Sequence, residues 1–109
     1  MSSDASIPFQ AVLEENSLAD NQMQIVKAQG RKMVVVKRSG KLHAIDNECS
    51  HVGGPLGSGI LEGNCIVCPW HRLAFDLDTG IAPKSALGDR VAVYEVKTEN
   101  GKIWVGNRK

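Results

Sequence analysis

Two short clusters of cysteine and histidine constrain this chain more than any other feature of its sequence. Each cluster pairs one thiol with one imidazole, and sixteen residues separate Cys49-Ser50-His51 from Cys68-Pro69-Trp70-His71. Thiolate and neutral imidazole are common protein ligands of iron and zinc, so the pattern predicts a metal site. The two mixed pairs suit a 2Fe–2S cluster in which two cysteines hold one iron and two histidines hold the other.

A structural zinc site is the alternative, because Cys-x-x-His pairs also occur in closed tetrahedral zinc modules. Such modules more often space their paired ligands by two to four residues, whereas a single residue separates Cys49 from His51. This short spacing, together with the flanking Pro69 and a glycine-rich stretch between the clusters, favours iron and sulfur over zinc.

The residues around the clusters extend the pattern. They are Ala44-Ile45-Asp46-Asn47, Gly53-Gly54-Pro55-Leu56, Phe75-Asp76 and Thr79-Gly80. With these motifs the sequence resembles the Rieske iron–sulfur proteins, most specifically over residues 41–80, and the chain has the size of a stand-alone Rieske ferredoxin. The resemblance implies one 2Fe–2S cluster as the cofactor, with both metal-binding and cofactor-binding roles assigned to the same four residues: Cys49, His51, Cys68 and His71.

The pattern of apolar residues predicts an all-β fold. A turn is expected at Ser39-Gly40, and Asn100-Gly101 is typical of a type I′ hairpin turn. With the resemblance, this predicts a single Rieske-type domain over residues 1–109, made of small antiparallel sheets with the cluster held between two loops at one end. Residues 1–6 are expected to be disordered. Strands are expected at 9–13, 23–27, 32–37, 41–45, 91–96 and 102–105.

The segment between the ligand clusters has two interpretations. Residues 53–63 contain five glycines and Pro55 without β-alternation, which is typical of an exposed loop. Glycine also lets backbone N–H groups approach an anionic object, and a cluster with two thiolates is such an object, so a cradle for the cluster is the favoured interpretation. The third histidine, His43, and the third cysteine, Cys65, are expected to be strand residues, with Cys65 buried.

Positions near the second cluster bear on the reduction potential. In high-potential members of the family that the sequence resembles, a serine and a tyrosine donate hydrogen bonds to sulfur at the positions of Leu73 and Phe75 here. Those members also tie the two ligand loops with a disulfide, whose cysteines would fall at Gly54 and Trp70. A low potential is therefore expected. Arg72 departs from the family, which often has glycine directly after the second ligand histidine.

Charge and hydropathy narrow the classes of partner. Thirteen basic and twelve acidic residues give a net charge of +1, and no basic stripe is present, so nucleic acid is not an expected partner. The sequence contains no run of eighteen apolar residues, which is the length that a membrane-spanning helix needs. The first residues lack the pattern of a signal peptide, so a soluble, cytoplasmic protein is expected.

The chain carries no second cofactor motif and no nucleophile with a base, so the sequence predicts an electron-transfer protein with no catalytic residues. The resemblance implies a monomeric carrier that docks transiently at its histidine end. Its partners would be a flavoprotein reductase, dependent on NAD(P)H, and a terminal oxygenase. Two alternatives remain open. One is the small Rieske subunit of a larger complex of the nitrite reductase type, and the other is a stand-alone redox- or iron-sensing Rieske protein.

Overall fold

The computed structural model describes residues 9–48, 55–70, 72–85 and 88–109, and these residues form two antiparallel sheets. The larger sheet has the strand order β1-β9-β8-β4-β3-β2, and the smaller sheet has the order β5-β6-β7. Two short 3₁₀ helices, Glu15–Ser17 and Leu56–Ser58, join strands. The expected all-β, antiparallel fold is thus confirmed, whereas the expectation for residues 1–6 lies outside the described residues. The strands are β1 Gln10–Glu14, β2 Gln22–Ala28, β3 Arg31–Arg38, β4 Lys41–Asp46, β5 Ile60–Glu62, β6 Cys65–Val67, β7 Ala74–Asp76, β8 Val93–Glu99 and β9 Lys102–Arg108.

Three two-residue turns connect neighbouring strands of the larger sheet. Gln29-Gly30, Ser39-Gly40 and Asn100-Gly101 all have positive φ at both positions, which is the backbone signature of type I′ hairpins. The turns at Ser39-Gly40 and Asn100-Gly101 were expected from the sequence. Gln29 also helps to close the sheet, because its side-chain amide donates to the carbonyl of Gly106 in β9 at 2.6 Å.

The apolar run Met33–Val36 in β3 is continuous because both faces of this strand are buried. Val34 and Val36 pack in the apolar cluster shared with the smaller sheet, while Met33 and Val35 pack in a second apolar cluster on the other face of the larger sheet. Burial on both faces removes the need for alternating polar residues. The strand therefore separates two apolar clusters. The cluster that contains side chains from both sheets also contains Cys68 and positions the candidate site.

Two sequence expectations need correction. The segment within 53–63 is not only a loop: Ile60–Glu62 forms β5, and Leu56 is fully buried in the core between the sheets. The last long hairpin begins later than expected, at Val93, because the amide of Val91 instead donates to the carbonyl of Gly80. Both differences arise from contacts distant in sequence, which a local pattern does not encode.

Candidate functional site

The smaller sheet places Cys68 at the end of a strand and inside the core. Cys68 directly follows β6, is completely buried, and belongs to the apolar cluster shared by the two sheets. Its amide donates to the carbonyl of Leu73 at 2.9 Å, and its carbonyl accepts from the amide of Arg72 at 2.9 Å. These bonds close a tight loop over residues 68–73, so the thiol of Cys68 is held by backbone geometry and by packing.

The other three predicted ligands, Cys49, His51 and His71, lie outside the described residues, but the ends of their segments are defined. Glu48 and Pro55 form an isolated antiparallel bridge that brackets residues 49–54. His71 falls within the loop closed by Cys68 and Leu73. Among the described residues alone, no group of three potential metal ligands is assembled.

Backbone pairing brings the two ligand segments to the same end of the smaller sheet. Directly after Pro55, the chain forms the helix Leu56–Ser58 and then pairs Ile60 with Val67, the residue before Cys68. Gly59 makes this approach possible, because a Cβ atom there would collide with the backbone carbonyl oxygen of Val67. The segment containing Cys49 and His51 therefore ends beside the strand that carries Cys68.

The third cysteine has a different environment. Cys65 begins β6 and lies on the face opposite to Cys68, since odd and even positions of a strand face opposite sides. Burial, and then the carboxylates of Asp76 and Glu62, raise the pKa of the Cys65 thiol. Cys65 forms no disulfide with Cys68, the other described cysteine. It is a strand residue as expected, but it is half-buried rather than buried.

The third histidine is likewise a strand residue. His43 lies in β4 and is buried, with Nδ1 at 3.6 Å from a carboxylate oxygen of Asp78. Burial lowers the pKa of His43, and Asp78 opposes that shift only partly. Asp78 also accepts hydrogen bonds from Lys41 and Asn64 at 2.9 Å each. This histidine therefore lies in the larger sheet next to Asp78, in the turn that follows β7.

The residues next to Cys68 explain two features of the sequence. Arg72 has φ 61°, in the left-handed region where glycine is the least strained residue. This backbone conformation explains why the family that the chain resembles often has glycine at this position. Leu73 and Phe75 pack into the same apolar cluster as Cys68, and Phe75 is fully buried. Neither side chain carries a hydroxyl group, so the surroundings of Cys68 on this side are apolar.

A charged cleft of about 860 Å³ lies beside the first ligand segment and was not expected from the sequence. Its lining includes Glu48 and Pro55, the two residues that bracket residues 49–54. Two of its lining residues, Arg31 and Asp46, are bridged by Tyr94, whose hydroxyl donates to Asp46 at 2.7 Å and accepts from Arg31 at 2.9 Å. The lining includes three further basic residues: Lys32, Arg90 and Arg108.

These features define a small β fold in which residues 55 and 68, the neighbours of the two ligand segments, lie at the same end of the smaller sheet, and Cys68 is buried there. The chain belongs to the Rieske [2Fe–2S] domain family, whose model matches residues 8–95. Membership assigns one 2Fe–2S cluster to the chain, and the buried, disulfide-free Cys68 fits a thiolate ligand of such a cluster. No helix in the described part of the chain is long and apolar enough to cross a membrane.

Similar proteins include electron-transfer components. The ferredoxin component of the naphthalene 1,2-dioxygenase/salicylate 5-hydroxylase systems of Ralstonia sp is 36% identical over 78 residues, which is 72% of this chain and 75% of that protein. Human apoptosis-inducing factor 3 is 34% identical over 95 residues, and there the match spans 87% of this chain but only 16% of the relative.

A solved structure extends the similarity to nearly the whole fold. A chain in the complex of reduced oxygenase and oxidised ferredoxin in carbazole 1,9a-dioxygenase superposes with a TM-score of 0.84 and 25% identity, covering 93% of this chain and 95% of that chain. The Rieske resemblance and the cofactor expected from the sequence are therefore confirmed.

Proposed function

We propose that this chain is a one-electron carrier with a low-potential Rieske cluster, in which Cys49 and Cys68 bind one iron and His51 and His71 bind the other. The observation that carries the proposal is the pairing of Ile60 with Val67. Because of this pairing, the first ligand segment, residues 49–54, ends close to the strand that precedes Cys68. The bound cluster supplies one-electron transfer. The protein's own contribution is to bracket both ligand segments with backbone hydrogen bonds and to cover one thiol with apolar side chains.

The ligand assignment is tested with matched variants that the chain itself offers. Purified protein should contain about two irons and two sulfides and be red-brown. Cys49→Ser and His71→Ala should lose the cluster, whereas Cys65→Ser should keep it because Cys65 lies on the opposite face of β6. Iron, sulfide and the visible spectrum are the measurements. A colourless protein that holds one tightly bound zinc would refute the proposal.

The partners are proposed from the relatives. A ferredoxin component is part of a dioxygenase system, and the structural neighbour comes from a complex of an oxygenase with a ferredoxin. By analogy, this chain would receive electrons from a flavoprotein, a reductase dependent on NAD(P)H, and deliver them to a terminal oxygenase. The histidine end is the proposed docking site, because electron transfer requires the partner to approach the cluster.

Surface charge near the ligand segments indicates which partners are favoured. Arg31 and Asp46 pair with each other in the charged cleft, which leaves Lys32, Arg90 and Arg108 against the single carboxylate of Glu48. The structure gives these three basic residues no ion pair within the described residues, unlike Lys41 and Lys97 elsewhere. Local positive potential accelerates encounters with negatively charged partners, so a partner with an acidic surface is proposed.

The field can be measured without knowing the partner. Ferricyanide, a small anionic oxidant, should oxidise the reduced protein more slowly after Arg90→Glu with Arg108→Glu, and the effect should vanish at high salt because screening shortens the range of the field. Lys97→Glu with Lys102→Glu changes the net charge equally at the other end of the β8–β9 hairpin and serves as the control. Equal rates for the two double variants at low salt would contradict the proposal.

A single domain spanning residues 1–109, a monomeric state and a cytoplasmic location remain predictions. The two alternative roles, a fixed subunit of a larger complex or a redox- or iron-sensing protein, also remain hypotheses. Gel filtration of the cluster-loaded protein separates a monomeric carrier from a subunit that needs its complex. A carrier should elute as a monomer and should exchange electrons reversibly with small mediators.

A further inference from the structure

Asn47 is one of two buried polar residues in the described part of the chain, and it directly follows β4, two positions before Cys49. Only 8% of its surface is exposed. A buried amide side chain is retained at low energetic cost only where its polar atoms have partners. Its hydrogen bonds therefore indicate what the residue is for.

Those hydrogen bonds fix both ends of the first ligand segment. The amide of Asn47 donates to the carbonyl of Lys32 in β3 at 3.2 Å, which anchors the start of the segment to the larger sheet. The carbonyl of Asn47 accepts from the amide of Leu56 at 2.6 Å, and its side-chain Oδ1 accepts from the amide of Gly57 at 2.8 Å. One residue thus joins the strand before residues 49–54 to the helix after them.

Gly57 is matched to this contact. A Cβ atom at this position would lie 2.9 Å from Oδ1 of Asn47 and would also collide with the side chain of Ile25. A side chain at this position would force Ile25, Asn47 or the backbone to shift, so the absence of a side chain lets the Gly57 amide reach Oδ1. The contact depends on the absence of a side chain at position 57 and on an acceptor oxygen at position 47, and the second requirement does not follow from packing volume.

We propose that Asn47 is a positioning residue for the cluster. Through Oδ1 and its main-chain carbonyl, it sets the distance between the two ends of the segment and thereby the placement of Cys49 and His51. The inference rests on the ligand set proposed above. It adds that the acceptor atom of Asn47, which accepts from the amide of Gly57, controls how firmly the first pair of ligands is held.

Two nearly isosteric substitutions separate the acceptor role from a packing role. Asn47→Asp keeps an oxygen that can accept from the Gly57 amide, while Asn47→Leu keeps the approximate volume and removes the acceptor. Loss of residues that orient metal ligands typically costs about 10–100-fold in metal affinity, so Asn47→Leu should lose its cluster to a chelator about 10–100-fold faster than wild type. Asn47→Asp should stay close to the wild-type rate, with unchanged g values in the electron paramagnetic resonance spectrum of the reduced cluster.

Asn64→Leu is the matched control, because Asn64 lies exposed in the β5–β6 turn and its side chain donates to Asp78. It should leave both the rate of cluster loss and the g values unchanged. Equal behaviour of Asn47→Leu and wild type would overturn the inference, as would equal cluster loss from Asn47→Leu and Asn47→Asp.

A measurement on the wild-type protein covers the case in which Asn47→Leu does not fold. Hydrogen exchange should show the amide of Gly57 strongly protected in the cluster-loaded protein, and rapid exchange would overturn the inference. A different result would contradict the ligand proposal, namely a Cys49→Ser variant that retains the cluster. The results that would contradict the role of Asn47 can all occur while the wild-type protein binds its cluster normally.

Discussion

Hydroxyl groups introduced beside Cys68 should raise the reduction potential of the cluster. The smaller sheet places two apolar side chains, Leu73 and Phe75, next to Cys68, and each can be replaced by a residue with a hydroxyl. The register pairs Ile66 with Phe75 and Val67 with Ala74. Since alternate residues share a face, Phe75 and Leu73 lie on the same face as Ile66 and Cys68. Ile66, Cys68 and Phe75 belong to one apolar cluster, and Leu73 packs against it. A serine at Leu73 or a tyrosine at Phe75 would therefore place its hydroxyl on the cysteine side of the sheet.

The size of the shift follows from the charge on the acceptor. A hydrogen bond to a charged group contributes about 1.5–3 kcal/mol. The cluster accepts this bond in both redox states, but more strongly in the reduced, more negative state. We take about half of the bond energy as the difference between the two states. A one-electron potential changes by about 59 mV for each tenfold change in an equilibrium constant, or about 1.4 kcal/mol. Each hydroxyl that reaches sulfur should then raise the potential by about 30–60 mV.

Protein-film voltammetry at neutral pH measures this shift against two controls. Leu73→Ala removes the same side chain as Leu73→Ser without adding a hydroxyl, and Ala74→Ser adds a hydroxyl on the opposite face of β7. The wild-type midpoint is expected near the low end of the Rieske range, on the order of −150 mV. A wild-type midpoint above about +100 mV, or equal midpoints for Leu73→Ser and Leu73→Ala, would refute the reasoning.

Two further predictions concern stability. Arg72→Gly should raise the free energy of unfolding by about 1 kcal/mol because it relieves a left-handed backbone conformation, and Arg72→Ala should not; urea titration of the loaded protein compares them. Burial holds the pKa of His43 below its usual value, so its folded state binds a proton less readily than the unfolded chain. Stability should therefore fall as the pH drops below about 6.5, and His43→Asn should show a shallower fall in urea midpoints between about pH 7 and 5.

The sequence predicted the elements whose signal is local. Asn100-Gly101 and Ser39-Gly40 were identified because asparagine, serine and glycine are frequent turn formers, and both turns are present. Gln29-Gly30 adopts the same backbone, but glutamine has no such preference, so tertiary contacts, including the bond from Gln29 to Gly106, stabilise it. The three strands of the smaller sheet, each of three residues, are too short to show alternation.

The sequence predicted the chemistry of the site but not the hydrogen bonds that hold its ligand segments in place. The Cys-x-His and Cys-x-x-His spacing gave the cofactor, and the place of Cys68 at a strand end agrees with it. Nothing in the local sequence distinguishes an asparagine that caps a turn from Asn47, whose partners at Lys32 and Gly57 are brought together by the fold. Gly57 and Gly59 belong to the expected cradle, which stays a prediction, and each also permits a close contact within the protein.

Arg72 shows how the site departs from what backbone energetics alone would select. Its φ of 61° favours glycine, and an arginine there costs about 1 kcal/mol that glycine would avoid. The side chain is exposed in the loop that contains His71, and Lys32, Arg90 and Arg108 line a cleft that reaches the other ligand segment. A strained residue is tolerated where the surrounding structure determines its conformation, and here the bond from the Arg72 amide to the Cys68 carbonyl does so. The charge therefore sits at the proposed docking end at a measurable cost in stability, which is the arrangement expected if it serves the encounter with an acidic partner.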